Sequence, residues 1–178
     1  MAHSSIAQVS LGSHWPKCFP HSDEPNRVVL HIGQHRSECR IGPHERISLA
    51  LGTLSLPKQF FKHDIPNALE MEAAIAYVED EIAKAWPAIQ RLDEPQLYSR
   101  DACLHEVAQL AQAPLQGTPV WILSTEAVEG LFNRLTYIVA GRPASIEGLP
   151  TGKPFMAATL ILREWLHHLR FQEIRLLP

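Results

Sequence analysis

Ten histidines are more than a 178-residue chain ordinarily carries, and His31, His35 and His44 fall around one predicted hairpin and its turns. Imidazole is the commonest transition-metal ligand, so two or three converging rings could bind zinc. His31 and His35 flank a turn that brings them together if it is tight. The competing reading makes His31 a core or sheet-end histidine and His35 a solvated loop residue. No His-Glu-x-x-His or mixed Cys/His set adds weight to the metal. Within the same turn, Gln34-His35-Arg36-Ser37 either holds an anion through its side chains, since guanidinium matches phosphate bidentately, or is an ordinary polar turn. His167-His168 reads as the polar rim of the last helix. The segment from Gly148 to Lys153 ends in Thr-Gly-Lys but lacks the glycine spacing and the preceding strand of a P-loop, so it reads as a connector. Cys18, Cys39 and Cys103 form no Cys-x-x-Cys pair, which leaves neither a structural zinc site nor a disulfide framework.

The elements that must position these residues follow from periodicity and punctuation. Residues 27–32 read as a β-branched buried strand, 37–41 as its partner and 46–51 as a third strand, with Gly42-Pro43-His44 as the second turn. Residues 54–61 predict a short helix, broken by His63-Asp64-Ile65-Pro66. Asn67 reads as the N-cap of a long helix, with Glu70 at the capping-box position and Ile75, Val78, Ile82 and Trp86 toward the core. Pro87 ends or kinks it, because proline lacks the amide proton and clashes with the preceding turn. A strand over 96–99, a helix over 102–111 and a short apolar run over 120–123 come next. Ser124 caps a helix whose first turn holds Glu126 and Glu129, favourable against the helix dipole. Gly141-Arg142-Pro143 terminates it. Residues 154–169 form a last helix apolar around much of its girth, hence central and buried, and 173–177 end the chain as a strand.

Composition bounds the class. The length suits one domain with a sizeable core, with residues 1–26, rich in proline and serine, as an irregular N-terminal arm. A net charge of −3 gives no electrostatic reason to expect nucleic acid. No apolar run approaches the ~20 residues of a membrane span, and the N-terminus has no basic or apolar signal region. The cytoplasm is the expected compartment.

The ordered set of segments resembles a known family. Residues 28–61 read VVLHIGQHRSECRIGPHERISLALGTLSLPKQFF: strand, glycine turn, returning strand, then a third strand leading into an apolar helix. This resembles the second phosphate-binding hairpin of the exopolyphosphatase / guanosine pentaphosphate phosphohydrolase (Ppx/GppA-like) family. There the first strand ends Asp-Ile-Gly-Gly-Gly-Ser-Thr-Glu; here those positions are His31, Ile32, Gly33, Gln34, His35, Arg36, Ser37 and Glu38. Ser48-Leu49-Ala50-Leu51-Gly52 is similar to the family's Ser-Leu-Pro-Leu-Gly strand, and His63-Asp64-Ile65-Pro66 to its Asp-Pro-Pro break. Arg142 with Gly148-Leu149-Pro150 resembles its Arg…Pro-Gly-Leu segment. The helix from Ala157 and the strand Glu173-Ile174-Arg175-Leu176 resemble its closing pair. The resemblance runs from about Val28 to the end. It implies an α/β fold: one lobe, the second, of the actin-like ATPase (ribonuclease H-like) type, over residues 27–178. The expected sheet is mixed, antiparallel at the hairpin and parallel elsewhere, with flanking helices.

Two departures set the functional expectation. The family's active site lies between two lobes, and the sequence starts just before the second-lobe hairpin. The loops that touch phosphate in the family are also rewritten. The strand-ending acid is His31. Two of three glycines are Gln34 and His35, whose side chains restrict a backbone that would otherwise form a concave nest for phosphate oxygens. The second glycine-rich turn appears as Tyr98-Ser99-Arg100-Asp101, and the Arg-Ala-Asp after the Gly-Leu segment as Lys153-Pro154-Phe155. The resemblance implies Gly33, Gln34, His35, Arg36 and Ser37 as phosphate-binding positions and Glu38 as the catalytic glutamate, against a plain strand glutamate paired with Arg40 or Arg46. The expectation is a non-catalytic binding or assembly module with degenerate loops. It would associate with itself or with a protein partner at the former inter-lobe surface, and take polyphosphate or a phosphorylated small molecule as a further ligand. Nucleic acid and membrane are not expected partners. The alternatives are a phosphoanhydride hydrolase, with magnesium as cofactor and the cleft completed by dimerisation or a partner, and a small metal-binding protein using His31 and His35.

Overall fold

The computed structural model describes residues 26–112 and 120–178. The predicted N-terminal arm lies outside them except for Asn26. Three strands open the described chain: β1 (Arg27–Ile32), β2 (Ser37–Ile41) and β3 (Glu45–Leu49). Val28, Val29, Leu30 and Ile32 of β1 are all buried, which fits a strand covered on both faces. Ser37, Cys39 and Ile41 of β2 alternate inward, whereas Glu45, Arg46 and Ser48 leave β3 a polar edge, the usual protection of an unpaired sheet margin. The antiparallel register sets His31 opposite Glu38 and Ser37 opposite Leu49.

β3 stops at Leu49, two residues short of the expected end. Ala50 donates its amide to the Glu81 carboxylate at 2.8 Å, and the Leu51 carbonyl accepts the Ser37 hydroxyl at 2.8 Å. β2 begins at Ser37, so beyond Leu49 no strand remains to pair with, and side chains satisfy the backbone instead.

Helix α1 (Ser55–Phe60) follows, then α2 (Ala68–Ile82). Asn67 and Glu70 form the reciprocal capping box at the start of α2. Its core stripe is Met71, Ala74, Val78 and Ile82; Ile75 is only partly buried. A 3-10 turn over Ala83–Ala85 leads into α3 (Trp86–Ile89), where Pro87 sits in the first turn, a position that needs no amide proton. The remainder is β4 (Gln96–Ser99), α4 (Ala102–Leu110), β5 (Trp121–Ser124), α5 (Thr125–Val139), α6 (Ala144–Glu147), α7 (Lys153–His168) and β6 (Glu173–Leu176). Ser124 caps α5 through the Ala127 amide, and Gly148 closes α6 at φ +62°, where glycine has no Cβ penalty.

The sheet order is β3-β2-β1-β4-β6-β5. β1, β4 and β6 run parallel, and the hairpin is antiparallel as expected. The expectation of parallel pairing elsewhere fails at β5, which is antiparallel to β6. Two long helices, α5 and α7, separate these strands in sequence, whereas a parallel crossover uses one; the second helix returns the chain to the sheet travelling the other way. α7 is the central helix. It packs on α5, α2, α4 and α1 and buries Phe155, Met156, Leu160, Ile161, Leu162, Trp165 and Leu166, each contributing about 1.5–3 kcal/mol relative to exposure. Among the described residues no helix is long and apolar enough to cross a membrane.

Candidate functional site

The three parallel strands end on one side of the sheet, the side where open α/β sheets bind ligands. β1 delivers His31, Ile32 and Gly33 there; β4 delivers Ser99 and then Asp101, the N-cap of α4; β6 delivers Leu177. Asp101 joins them. Its Oδ1 accepts from His31 Nδ1 at 2.6 Å and its Oδ2 accepts from the Ile32 amide at 2.6 Å. An ionised carboxylate has no proton to give, so Nδ1 is the protonated ring nitrogen. The Asp101 side chain makes no cap bond to its own helix; both oxygens serve β1. The Asp101 amide is held by Ser99 Oγ at 3.2 Å, and His105 Nε2 lies 3.0 Å from the Leu177 carbonyl, tying α4 to the ends of β4 and β6.

His31 is half exposed and stands opposite Glu38 on one face of the sheet. Its pKa is raised: the hydrogen bond to Asp101 is the main cause, partial burial opposes it, and the negative charges of Asp101 and Glu38 add to it. A carboxylate that fixes one ring nitrogen and favours the charged ring makes His31 a positioned acid.

The turn after β1 folds onto itself. Gly33 donates its amide to the Arg36 carbonyl at 3.0 Å. The next amides that could cradle an anion, those of Thr53, Leu54 and Ser55, donate instead to the carbonyls of Gly33 and Gln34 at 2.8–3.1 Å, and Ser55 Oγ donates to the His35 carbonyl. Gly52 permits this: a Cβ there would lie 2.6 Å from the carbonyl carbons of Gln34 and His35, inside any tolerable contact. The hairpin tip is thus clamped to the start of α1.

Of the residues singled out in the sequence, Gln34, His35 and Arg36 are exposed at the tip, while Gly33 and Glu38 are half buried. Ser37 is buried, and its hydroxyl is spent on Leu51. His31 and His35 belong to no group of three potential metal ligands among the described residues. His44 is exposed in the turn between β2 and β3. The Gly148-to-Lys153 segment is a connector: Lys153 opens α7 and donates to the Phe61 carbonyl at 3.1 Å. Two cavities of about 360 and 510 Å³ lie at the opposite end of the sheet, sharing Glu94, Gln96 and Arg175.

Sequence reasoning missed Asp101. A signal existed, since an acid between a strand and a helix marks an N-cap, but its use by β1 depends on β4 being the parallel neighbour of β1.

With this geometry in place, comparison shows what the chain is similar to. No family model and no curated protein matches the sequence. Solved structures do. The crystal structure of the Aquifex aeolicus Ppx/GppA phosphatase, type II variant, matches 86% of this chain and 53% of its own, with a TM-score of 0.69 at 19% identity. The exopolyphosphatase from Cytophaga hutchinsonii matches 84% of this chain and 52% of its own, with a TM-score of 0.62 at 16% identity. The chain therefore spans about half the length of the solved structures it matches. At such identities the likeness shows the fold, and that fold is the expected one: a single α/β lobe of the actin-like type.

Proposed function

We propose that this chain is a diverged relative of the Ppx/GppA phosphatases that serves as a binding or assembly module and does not hydrolyse phosphoanhydrides. One observation carries the reading: the anion-handling positions at the end of β1 are filled from within. The Asp101 carboxylate holds the Ile32 amide, and the amides of residues 53–55 hold the carbonyls of Gly33 and Gln34. An incoming phosphate would have to displace a fixed carboxylate from a hydrogen bond of about 1.5–3 kcal/mol and then sit beside its charge. The exposed tip, with Gln34, His35, Arg36 and the partly exposed Leu54, is the surface a protein partner would cover: a second copy of this chain or a companion half of the same fold. The test is calorimetry and phosphate release with a short polyphosphate and magnesium, alongside light scattering across a concentration series. Absence of turnover with association supports the proposal; metal-dependent turnover at ~1 per second or faster sinks it.

The His31–Asp101 pair opposite Glu38 favours a second reading: a phosphohydrolase whose cleft is completed by another lobe or copy. His31 would act as the acid, Asp101 would hold its ring, and Glu38 would align water. Magnesium, which the resemblance implies, needs hard oxygen ligands. Both oxygens of Asp101 are committed, so the donor set fits that ion poorly. Turnover abolished by Glu38→Gln and by His31→Asn, with folding intact, would establish this reading over the first.

A further inference from the structure

Far from the hairpin, helices α2 and α7 bring three ligating side chains to one point. His168 Nε2 lies 3.0 Å from Glu79 Oε1 and 3.2 Å from Glu164 Oε2, and the three atoms lie within 4.8 Å of one another. Ligand atoms held ~2.1 Å from a zinc-sized ion are spaced about 3.0–3.4 Å apart. The two measured separations already match a coordination edge.

Glu164 supplies the independent sign. Its side chain is completely covered by protein. Oε1 accepts from Arg163 Nη1 at 2.5 Å, but Oε2 accepts no hydrogen bond, although His168 Nε2 is nearby. An imidazole nitrogen carries one proton, and its direction serves Glu79. The Glu164 oxygen is close enough for charge attraction yet off the hydrogen-bond line. An enclosed carboxylate oxygen that accepts no hydrogen bond is costly. An ion in place of that one proton would face all three atoms at once.

We propose that Glu79, Glu164 and His168 bind one divalent first-row transition ion, with zinc as the best fit, clasping α2 to α7. One imidazole and two carboxylates suit zinc better than magnesium or calcium, which avoid nitrogen. Glu79 and His168 are 40% and 38% exposed, leaving the outer coordination positions to water. Arg163 bridges Glu164 and Glu129, which fixes the orientation of the ligating carboxylate. His167 lies 3.7 Å from Glu129 and outside the trio.

The test uses tag-free, chelator-treated full chain titrated with zinc, with bound metal counted after dialysis and cobalt as a spectroscopic substitute. The other histidines make assignment a matter of difference. Wild type should take up one equivalent that Glu79→Gln and His168→Gln each weaken by about tenfold or more. The cobalt-loaded protein should show visible absorption that His168→Gln abolishes and His31→Gln leaves intact. Glu79 is partly exposed and His168 exposed, so circular dichroism should report folded protein for both decisive substitutions even where Glu164→Gln fails to fold. No uptake, or uptake equal in wild type and both variants, overturns the site and leaves an ion-pair cluster.

Discussion

Replacing Asp101 with alanine removes a side chain that joins the ends of β1 and α4. The Asp101 side chain is 12% exposed, and the Ile32 amide it accepts belongs to a residue 4% exposed. Losing a hydrogen bond from a covered amide to a charged acceptor costs about 1.5–3 kcal/mol. The His31 pair adds at most ~1 kcal/mol, because the ring is half exposed and solvent screens it. Asp101→Ala should therefore lose about 1.5–4 kcal/mol, whereas Asp101→Asn, which keeps an acceptor for the amide, should lose ~1 kcal/mol. Urea unfolding is the assay, and the midpoint should fall with the slope unchanged. The His31 part carries a pH signature. Its folded pKa is raised, so its contribution is complete below the unfolded value of about 6.5 and fades as pH rises through the folded value. A double-mutant cycle between His31→Asn and Asp101→Asn should show larger coupling at about pH 6 than at about pH 9. A loss below ~0.5 kcal/mol for Asp101→Ala, or coupling independent of pH, would show that Asp101 does not hold β1 through this pair of contacts.

Further outcomes follow from the same contacts. Gly52→Ala should cost ~3 kcal/mol or more, since its Cβ would collide with the backbone of Gln34 and His35; a midpoint within error of wild type would show that the tip is not clamped. The Glu81 carboxylate is pushed up by burial, but Lys84 and the Ala50 amide outweigh this and lower its pKa overall. Its stabilisation is present above the unfolded value of about 4.5 and lost as pH falls through the lower folded value. The deficit of Glu81→Gln, ~1 kcal/mol at pH 7, should accordingly shrink in acid; a constant deficit would contradict this. Burial pushes the Cys103 thiol up to about 12, with Asp101 adding to it, and raises Cys39 further. Cys39 is buried and Cys103 partly so, so in a Cys18→Ser background both should label more slowly when native than in denaturant, Cys39 the slower of the two; rapid native labelling of Cys39 would contradict its burial.

Much of the scaffold was legible because local chemistry dictates it. The capping box at Asn67 and Glu70, the Ser124 cap and the all-round apolar α7 are each set by residues within a few positions of one another. The hairpin was legible for the same reason, its two strands being joined by a short glycine turn. What escaped depends on distant neighbours. Asp101 is a routine N-cap until β4 is placed beside β1, 70 residues away in sequence. The Glu164–His168 spacing is local, but its third member comes from α2. The early end of β3 is decided by Glu81 on α2, which no strand pattern contains, and the reversal at β5 by the pairing of two helices downstream.

The strand-end positions that resemble a phosphate loop hold the protein's own Asp101 carboxylate and backbone carbonyls. Isothermal titration calorimetry with a short polyphosphate, with and without magnesium, tests this arrangement most directly. Wild type should give no saturable heat at the hairpin, with or without magnesium. A saturable heat abolished by Arg36→Ala, followed by slow continuing heat release from turnover, would contradict it.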